Sequence, residues 1–143
     1  HPNIAGIKES SADAEQWRGL LDAGIDRGRF SLICGAGRVT DSALAMGFDG
    51  ITEGLHNVVP QLAVALYRAA RAGDRAAAAE WQGRINRAFR VFEVDGGWRG
   101  VEAAFAHLGI RTRLALPPYD LPMDPDHVCE IRQVLVEVGA LAA

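Results

Sequence analysis

Lys8 is the residue of this sequence best suited to covalent chemistry, because it is the single lysine among 15 lysine and arginine residues. It follows the apolar run Ile4–Ile7, which the pattern predicts to be a short buried strand. Arginine stays protonated and cannot act as an amine nucleophile, whereas a desolvated lysine loses its proton and attacks a carbonyl carbon. Parallel sheets and barrels place their sites at the carboxyl ends of strands, so Lys8 is a candidate nucleophile. The alternative is an ordinary surface lysine just past a strand.

Two further segments place glycine or polar residues directly after a predicted strand. The glycine turn at 35–37 follows the second apolar run, and its backbone is expected to pass close to a neighbouring strand or a small ligand. Thr40 stands where a dinucleotide-binding GxGxxG motif would need its last glycine, which argues against such a site. Glu53 and His56 follow the third run, but one such pair in a loop is weak evidence for a metal ion, and no metal site is predicted.

The elements that must position these groups alternate between strands and helices. Each of three short apolar runs is followed by a helical pattern; the strands are 4–7, 30–34 and 50–52, and the helices about 11–23, 39–46 and 60–72. This order with short connections predicts an α/β fold built on a parallel sheet or barrel. Three strands are too few to give either arrangement a well-covered core by themselves.

From Gly73 onward the pattern is helical throughout. Helices are predicted at about 75–92, 98–108 and 125–138, with breaks at the Asp-Gly-Gly of 95–97 and the proline-rich loop 116–124. The sequence therefore predicts an α/β part, residues 1–72, and a carboxyl-terminal α-helical subdomain, residues 73–143.

Composition narrows the class of function. Apolar residues make up 49% of the 143 residues and charged residues 23%, which is typical of a packed soluble domain. The net charge of -3 argues against a nucleic-acid partner, and the lack of 18 consecutive apolar residues argues against a membrane span. Cys34 and Cys129 lack CxxC spacing, so a reducing, cytoplasmic location is predicted rather than disulfides or zinc. The sequence begins without Met, just before a strand, which indicates the interior of a longer protein.

Three motifs, in this order, resemble the dihydrodipicolinate synthase and N-acetylneuraminate lyase family of class I, pyruvate-handling aldolases. Gly6-Ile7-Lys8 is similar to the motif that ends the family's sixth strand, whose lysine forms a Schiff base with a 2-oxo acid. Gly35 matches the glycine that ends the seventh strand, and GITEGLHNVVP at 50–60 resembles the eighth-strand motif. The resemblance implies the carboxyl-terminal part of a TIM (β/α)8 barrel, strands six to eight with their helices, followed by the helical subdomain.

The resemblance also implies a role for each candidate site residue. Lys8 would be the Schiff-base lysine, Gly35 would leave space beside it, the carbonyl of Thr52 would face the substrate, and Ser10 would hydrogen-bond the substrate's distal part. No metal or organic cofactor is implied. The partner would be a small-molecule 2-oxo acid, and family members commonly form dimers or tetramers, so a homo-oligomer is expected.

Two departures from the family pattern bear on the reaction. The amino-terminal half, with strands one to five, its threonine pair and its tyrosines, is not in this sequence. Thr52-Glu53 stands where Ile-Ser is usual, and the Gly-Trp-Arg-Gly of 97–100 is closer to the lyases than to the synthases. These differences favour an aldolase or dehydratase of 2-oxo sugar acids over dihydrodipicolinate synthesis. A non-catalytic half-barrel that acts only in association, and a doubly wound nucleotide-binding domain, are the alternatives.

Overall fold

A computed structural model describes residues 1–142 of the chain, and its amino-terminal part is a three-stranded parallel sheet. The strands, in the spatial order β1-β2-β3, are β1 (Gly6–Glu9), β2 (Ser31–Cys34) and β3 (Gly50–Ile51). The helices that follow them are α1 (Ala14–Asp22), α2 (Thr40–Met46) and α3 (Pro60–Arg71). Neighbouring parallel strands must be joined by a crossover connection. α1 and α2 lie in the two crossovers, and α3 follows the last strand. The predicted parallel α/β arrangement is confirmed.

Beyond Gly73 the described chain is helical apart from the turn at 94–97 and the loop at 108–124, and a break at Phe89 divides the helix predicted at about 75–92 into two. This part contains α4 (Arg75–Ala88), α5 (Arg90–Glu93), α6 (Trp98–His107) and α7 (Pro125–Glu137). Asp74 and Asp124 cap α4 and α7, because each carboxylate accepts a hydrogen bond from a backbone N–H in the first turn. Among the helices of residues 1–142, none combines the length and apolarity that a bilayer crossing requires.

The first strand differs from the sequence prediction. It spans Gly6–Glu9 rather than residues 4–7, because β1 pairs with β2 over this length, from Gly6 opposite Ser31 to Glu9 opposite Cys34. Lys8 therefore lies within the strand and not just beyond its end.

The first helix also begins later than the serines at 10 and 11 indicated. Its cap is Asp13, whose carboxylate accepts hydrogen bonds from the backbone N–H groups of Glu15 and Gln16 at 2.8 and 3.2 Å. Aspartate and serine are both good caps, and residues 10–12 instead carry the chain around the end of β1. Ala12, with φ of 60°, makes the left-handed turn that this path needs.

Two apolar clusters hold these elements together. The smaller cluster packs β2 against α1 and α2; its buried members are Trp17, Leu32, Cys34, Ala36, Ala43 and Phe48. The larger cluster begins in the segment after β3 and continues through α3 to α7; its buried members include Leu55, Val59, Leu62, Leu66, Ile85, Val91, Val101, Ile131 and Leu135. The segment after β3 is therefore positioned by the carboxyl-terminal helices as well as by the sheet.

Gly100 is where α6 crosses the end of α5 at closest approach. A methyl group at Gly100 would overlap the carbonyl oxygen of Val91, a backbone atom that cannot rotate away. Gly83 in α4 offers a contrast, because a methyl group there would meet only the Nη1 atom of Arg87, at 3.9 Å.

We expect Gly100→Ala to lower the free energy of unfolding of the complete protein by roughly 1–3 kcal/mol, because α5 and α6 must move apart. Gly83→Ala is the matched control and should raise the free energy of unfolding by up to about 1 kcal/mol, since alanine favours a helix interior over glycine. Urea titrations followed by circular dichroism measure both. Two variants of equal stability would contradict the tight crossing at Gly100.

Candidate active site

The sheet has one covered and one open face, and strand alternation decides which side chain lies on each. Lys8, Ile33 and Gly50 are register partners and share a face, while Glu9, Cys34 and Ile51 share the other. Glu9 and Cys34 are buried against the helices, whereas Lys8 is exposed. Lys8 therefore projects from the face of the sheet that the helices of residues 1–142 do not cover.

Lys8, Ser10 and Gly35 form one cluster at the carboxyl end of β1 and β2. A methyl group at Gly35 would overlap Cε of Lys8 and Oγ of Ser10, and it would lie 3.1 Å from Cγ of Lys8. The backbone N–H of Gly35 donates to the carbonyl of Glu9 at 2.7 Å, which extends the ladder past the strands. The absence of a side chain at Gly35 thus creates the space in which the Lys8 side chain lies.

Thr52 continues β3 at the same end of the sheet. Its backbone N–H donates to the carbonyl of Cys34 at 2.8 Å, and its side chain is exposed. Thr52 lines a groove of about 580 Å³ between β3 and α3, together with His56 and Tyr67, but Lys8 and Gly35 do not line this groove. The substrate site that the family resemblance implies for Lys8, Gly35 and the Thr52 carbonyl therefore stays a prediction.

Glu9 is a buried charged residue, next to the candidate lysine, that the sequence patterns did not single out. It is 5% exposed and its carboxylate accepts hydrogen bonds from the backbone N–H of Ser11 at 2.7 Å, from Nε2 of Gln16 at 3.2 Å, and from the indole N–H of Trp17. One signal was available: a charged residue next to Lys8 in a strand must face the opposite side, where α1 packs. Glu9 ties the end of β1 to α1.

Hydrogen bonding keeps the Glu9 carboxyl ionised despite its burial. Burial by itself raises the pKa of a carboxyl, but the hydrogen bonds from Ser11, Trp17 and the Ser10 backbone outweigh it, and the pKa of Glu9 lies below its usual value. Cys34 shows the opposite balance, since burial raises the pKa of its thiol and keeps it protonated. The helix side of the strand ends therefore holds a fixed carboxylate and a protonated thiol.

The segment after β3 is a short 3-10 turn, Gly54–Asn57, whose polar residues fix the backbone. The carboxylate of Glu53 accepts from the backbone N–H of Leu55 at 2.7 Å, and the Asn57 amide donates to the carbonyl of Gly54 at 3.1 Å. Burial lowers the pKa of His56, so its ring is neutral at pH 7. Within residues 1–142, no three His, Cys, Asp or Glu side chains are grouped to hold a metal ion.

The depressed pKa of Glu9 predicts a pH dependence of folding. The pKa of this carboxyl is lower in the folded than in the unfolded chain, so the stability it provides is complete above the unfolded value and is lost as pH falls through the folded value. Glu9→Gln should lower the free energy of unfolding at pH 7 by about 1–3 kcal/mol, because a neutral amide replaces a charged acceptor. The variant should also lose less stability than the parent on acidification below about pH 5.

Glu80→Gln, on the exposed face of α4, is the control for a simple change of net charge and should leave the pH profile unchanged. Thermal unfolding of the complete protein across this pH range measures all three forms. An unaltered profile for Glu9→Gln would show that the Glu9 carboxylate does not stabilise the end of β1.

Comparison with known proteins shows which enzymes this chain resembles in sequence and in structure. The 4-hydroxy-tetrahydrodipicolinate synthase of Methanoculleus marisnigri is 34% identical over 142 residues, which cover 97% of this chain and 47% of that protein. The dihydrodipicolinate synthase structure from Thermotoga maritima is 28% identical, with a TM-score of 0.82 over 97% of this chain and 47% of that one. The structure from Bacteroides thetaiotaomicron superposes with a TM-score of 0.85 at 23% identity, over 96% and 47% of the two chains.

This chain thus spans about half the length of the curated relatives it matches. The model of the dihydrodipicolinate synthetase family matches residues 1–137, nearly all of the sequence. The superposition with the Bacteroides thetaiotaomicron structure takes in 96% of this chain, which contains the three-stranded parallel sheet. On this match, the chain belongs to the dihydrodipicolinate synthetase family.

Proposed function

We propose that this chain carries the nucleophilic lysine of a Schiff-base lyase, an aldolase or dehydratase that acts on pyruvate or a 2-oxo sugar acid. The observation that carries the proposal is the position of Lys8, across Gly35 and beside Ser10 on the open face at the carboxyl end of a parallel sheet. Family membership supports the class of reaction. The departures at 52–53 and 97–100 support a sugar acid rather than the substrates of the synthases.

In this proposal β1, β2 and β3 are strands six, seven and eight of a TIM (β/α)8 barrel. Residues 1–72 form its last part and residues 73–143 form the helical subdomain. The open Lys8 face, the free outer edges of β1 and β3, and the half-length match to the relatives all support this assignment. Further strands would pair with both edges and enclose the Lys8 side chain, and shielding from water favours the uncharged, nucleophilic form of an amine.

The proposed chemistry begins at the Lys8 amine. Nζ attacks the ketone carbon of the 2-oxo acid, and loss of water gives an imine whose protonated form is an iminium ion. In the aldol cleavage, a base takes the proton of the hydroxyl group on the fourth carbon, and the bond between the third and fourth carbons breaks. Its electron pair forms the double bond between the second and third carbons while the C=N pair moves to the iminium nitrogen, which leaves an enamine and an aldehyde. Protonation of the enamine at the third carbon and hydrolysis then release the shorter 2-oxo acid and restore the amine.

The other proposed site residues act around this centre. Ser10 Oγ, beside the lysine, would hydrogen-bond the distal part of the substrate, and the Thr52 carbonyl would face the bound molecule. An acid–base group is also needed for the proton transfers, and Glu9 cannot supply it because it faces the helices. The proposal therefore assigns proton transfer to the part of the barrel outside this chain. The complete protein would be a cytoplasmic homo-oligomer, a dimer or a tetramer, with no metal or organic cofactor.

A second candidate is a non-catalytic half-barrel that acts only in association with another chain. Ile4 and Ile7 are 58% and 41% exposed, and Lys8 is exposed as well. This chain therefore has apolar surface that association with another chain would cover, which favours a half-barrel that associates over one that is active alone. In that case the 143 residues alone would be inactive, because the pocket that orients the oxo acid would be open to water. The intact mass of the protein from its native source distinguishes the two: a half-barrel has the mass of this chain, and a complete barrel has about twice that mass.

Lys8 should be trapped by reduction. Incubation of the complete protein with pyruvate and borohydride should leave a stable adduct on the peptide that contains Lys8, the only lysine of this chain. Lys8→Arg should abolish this adduct and should reduce turnover by several powers of ten, because arginine keeps the charge but cannot form the imine. Peptide mass spectrometry with fragmentation locates the added mass and separates Lys8 from any chain-terminal amine.

The double variant Lys8→Arg with Arg18→Lys restores the number of lysines at an exposed position of α1. It should recover neither the adduct nor turnover, which separates a positioned amine from mere amine content. Full activity of Lys8→Arg on every 2-oxo acid tested would overturn the proposed function.

A further inference from the structure

Gln82 of α4 is a buried polar residue that the proposed mechanism does not use. It is 4% exposed, although glutamine is usually found at the surface of proteins. Its Nε2 donates to the carbonyl of Gly37 at 2.8 Å, and its Oε1 accepts from the backbone N–H of Asp41 at 3.1 Å. Gly37 and Asp41 follow β2 and precede Gln82 by 45 and 41 residues. One amide therefore connects the helical part of the chain to the carboxyl end of the sheet.

Asn86, one turn further along α4, extends this contact. Its Oδ1 accepts from Nε2 of Gln82 at 2.9 Å, and its Nδ2 donates to the carbonyl of Arg38 at 3.2 Å. The spacing of four residues places the two amides on the same face of the helix. Both donors of the Gln82 amide and its oxygen thus have partners, which is what the burial of an amide requires.

The turn at 35–37, Gly-Ala-Gly, has a single methyl group as its side chains, so it must be fixed through its backbone. At its beginning, the N–H of Gly35 donates to the carbonyl of Glu9 in β1. At its end, the hydroxyl of Thr40 donates to the carbonyl of Gly37 at 3.2 Å, but Thr40 belongs to the same segment and would move with it. Gln82 bonds this carbonyl from a distant segment, and so fixes the turn relative to α4.

The position of this turn decides the space that is left for Lys8. A methyl group at Gly35 would overlap Cε of Lys8, so the backbone of Gly35 is already in close contact with the lysine side chain. A movement of the turn toward β1 would press on that side chain, and a movement away from β1 would leave it unsupported. Misplacement of a reacting group by roughly 1 Å can lower a rate by about 100-fold.

We propose that Gln82 is a positioning residue for the Lys8 amine, which it places by holding the turn at 35–37 from α4. This inference rests on the proposed function, because it takes Lys8 as the nucleophile. Gln82 is buried, and its amide is bonded to the backbone and to Asn86, so it acts through the turn and not on the substrate. Its loss should therefore slow imine formation at Lys8 and change the binding of the oxo acid little.

The test measures the rate of imine formation in the complete protein. The protein is mixed with pyruvate, borohydride is added after increasing times, and the adduct at Lys8 is measured by mass spectrometry. Gln82→Met keeps the length of the side chain and removes its donors and its acceptor. It should lower the maximal rate of imine formation by about 10-fold or more. The pyruvate concentration that gives half of this rate should change by less than about twofold.

Gln82→Glu gives a readout that depends on the hydrogen bonds themselves. A neutral carboxyl can donate to Gly37 and accept from Asp41, as the amide does, whereas a carboxylate can only accept and is repelled by the Gly37 carbonyl. Burial raises the pKa of such a carboxyl. Between about pH 5 and pH 8, the rate of this variant should approach that of the parent at the acidic end and fall below it as pH rises. The ratio of Gln82→Met to the parent should not change with pH.

Two control variants separate this role from general effects on folding and composition. Ile85→Val, at a fully buried residue of the same helix, removes a methylene group from the larger apolar cluster; it should lower the melting temperature and leave imine formation unchanged. Gln133→Met replaces an exposed amide of α7 and should change neither quantity. Circular dichroism verifies that each variant is folded, and Gln82→Glu decides the question if Gln82→Met does not fold.

The outcomes separate this inference from the proposed function. Parental rates of imine formation in Gln82→Met, a larger change in the half-saturating pyruvate concentration than in the maximal rate, or a pH-independent ratio for Gln82→Glu would overturn the role of Gln82 and leave Lys8 as the nucleophile. Equal losses in Gln82→Met and Ile85→Val would do the same, because they would show an effect of stability alone. A parent protein that forms no adduct at Lys8 would instead refute the proposed function, and this inference with it.

Discussion

The parallel register between β1 and β2 is the constraint on which the rest of the structure depends. It sets Lys8 opposite Ile33 and Glu9 opposite Cys34, and so assigns the amine to the open face and the carboxylate to the helices. Side chains alternate along a strand, so a slip of one residue would bury Lys8 and expose Glu9. The hydrogen bonds to the Glu9 carboxylate resist that slip, since they would be lost and a lysine would enter a site built for an anion.

With this register, the missing side chain at Gly35 leaves the space in which the Lys8 side chain lies. The backbone passes close enough to β1 that only a residue without a side chain leaves room for Lys8 and Ser10. The same use of bare backbone recurs at Gly54, which receives the indole of Trp98, and at Gly37, where a methyl group would lie 2.8 Å from Cγ of Glu53. At the carboxyl end of the sheet, glycines thus mark the positions where side chains from other segments come closest.

The carboxyl-terminal helices also position the segments at the ends of the strands. Its apolar cluster includes Leu55 and Val59 from the segment after β3, so α4 to α7 hold that segment against the strand ends. Arg38, in the turn after β2, pairs with Glu93 and lies over the ring of Phe89, 4.4 Å from its centroid. Through these contacts, the helices position the turns after β2 and β3, at the end of the sheet where Lys8 lies.

The sequence by itself determined the order of the strands and of most of the helices, the helical pattern after residue 73 and the candidate lysine, because these depend on local periodicity and on residue chemistry within a few positions. The caps Asp74 and Asp124 and the break at 95–97 belong to the same local class. Only the tertiary structure decided that β1 begins at Gly6, since a strand ends where its partner ends, and β2 is more than 20 residues away in the chain. It also decided the burial of Glu9 and the packing of the Trp98 ring on Gly54, because both depend on packing between distant segments. The exposure of Lys8 has the same origin, since a sheet face is covered or open according to what packs on it and not according to its own sequence.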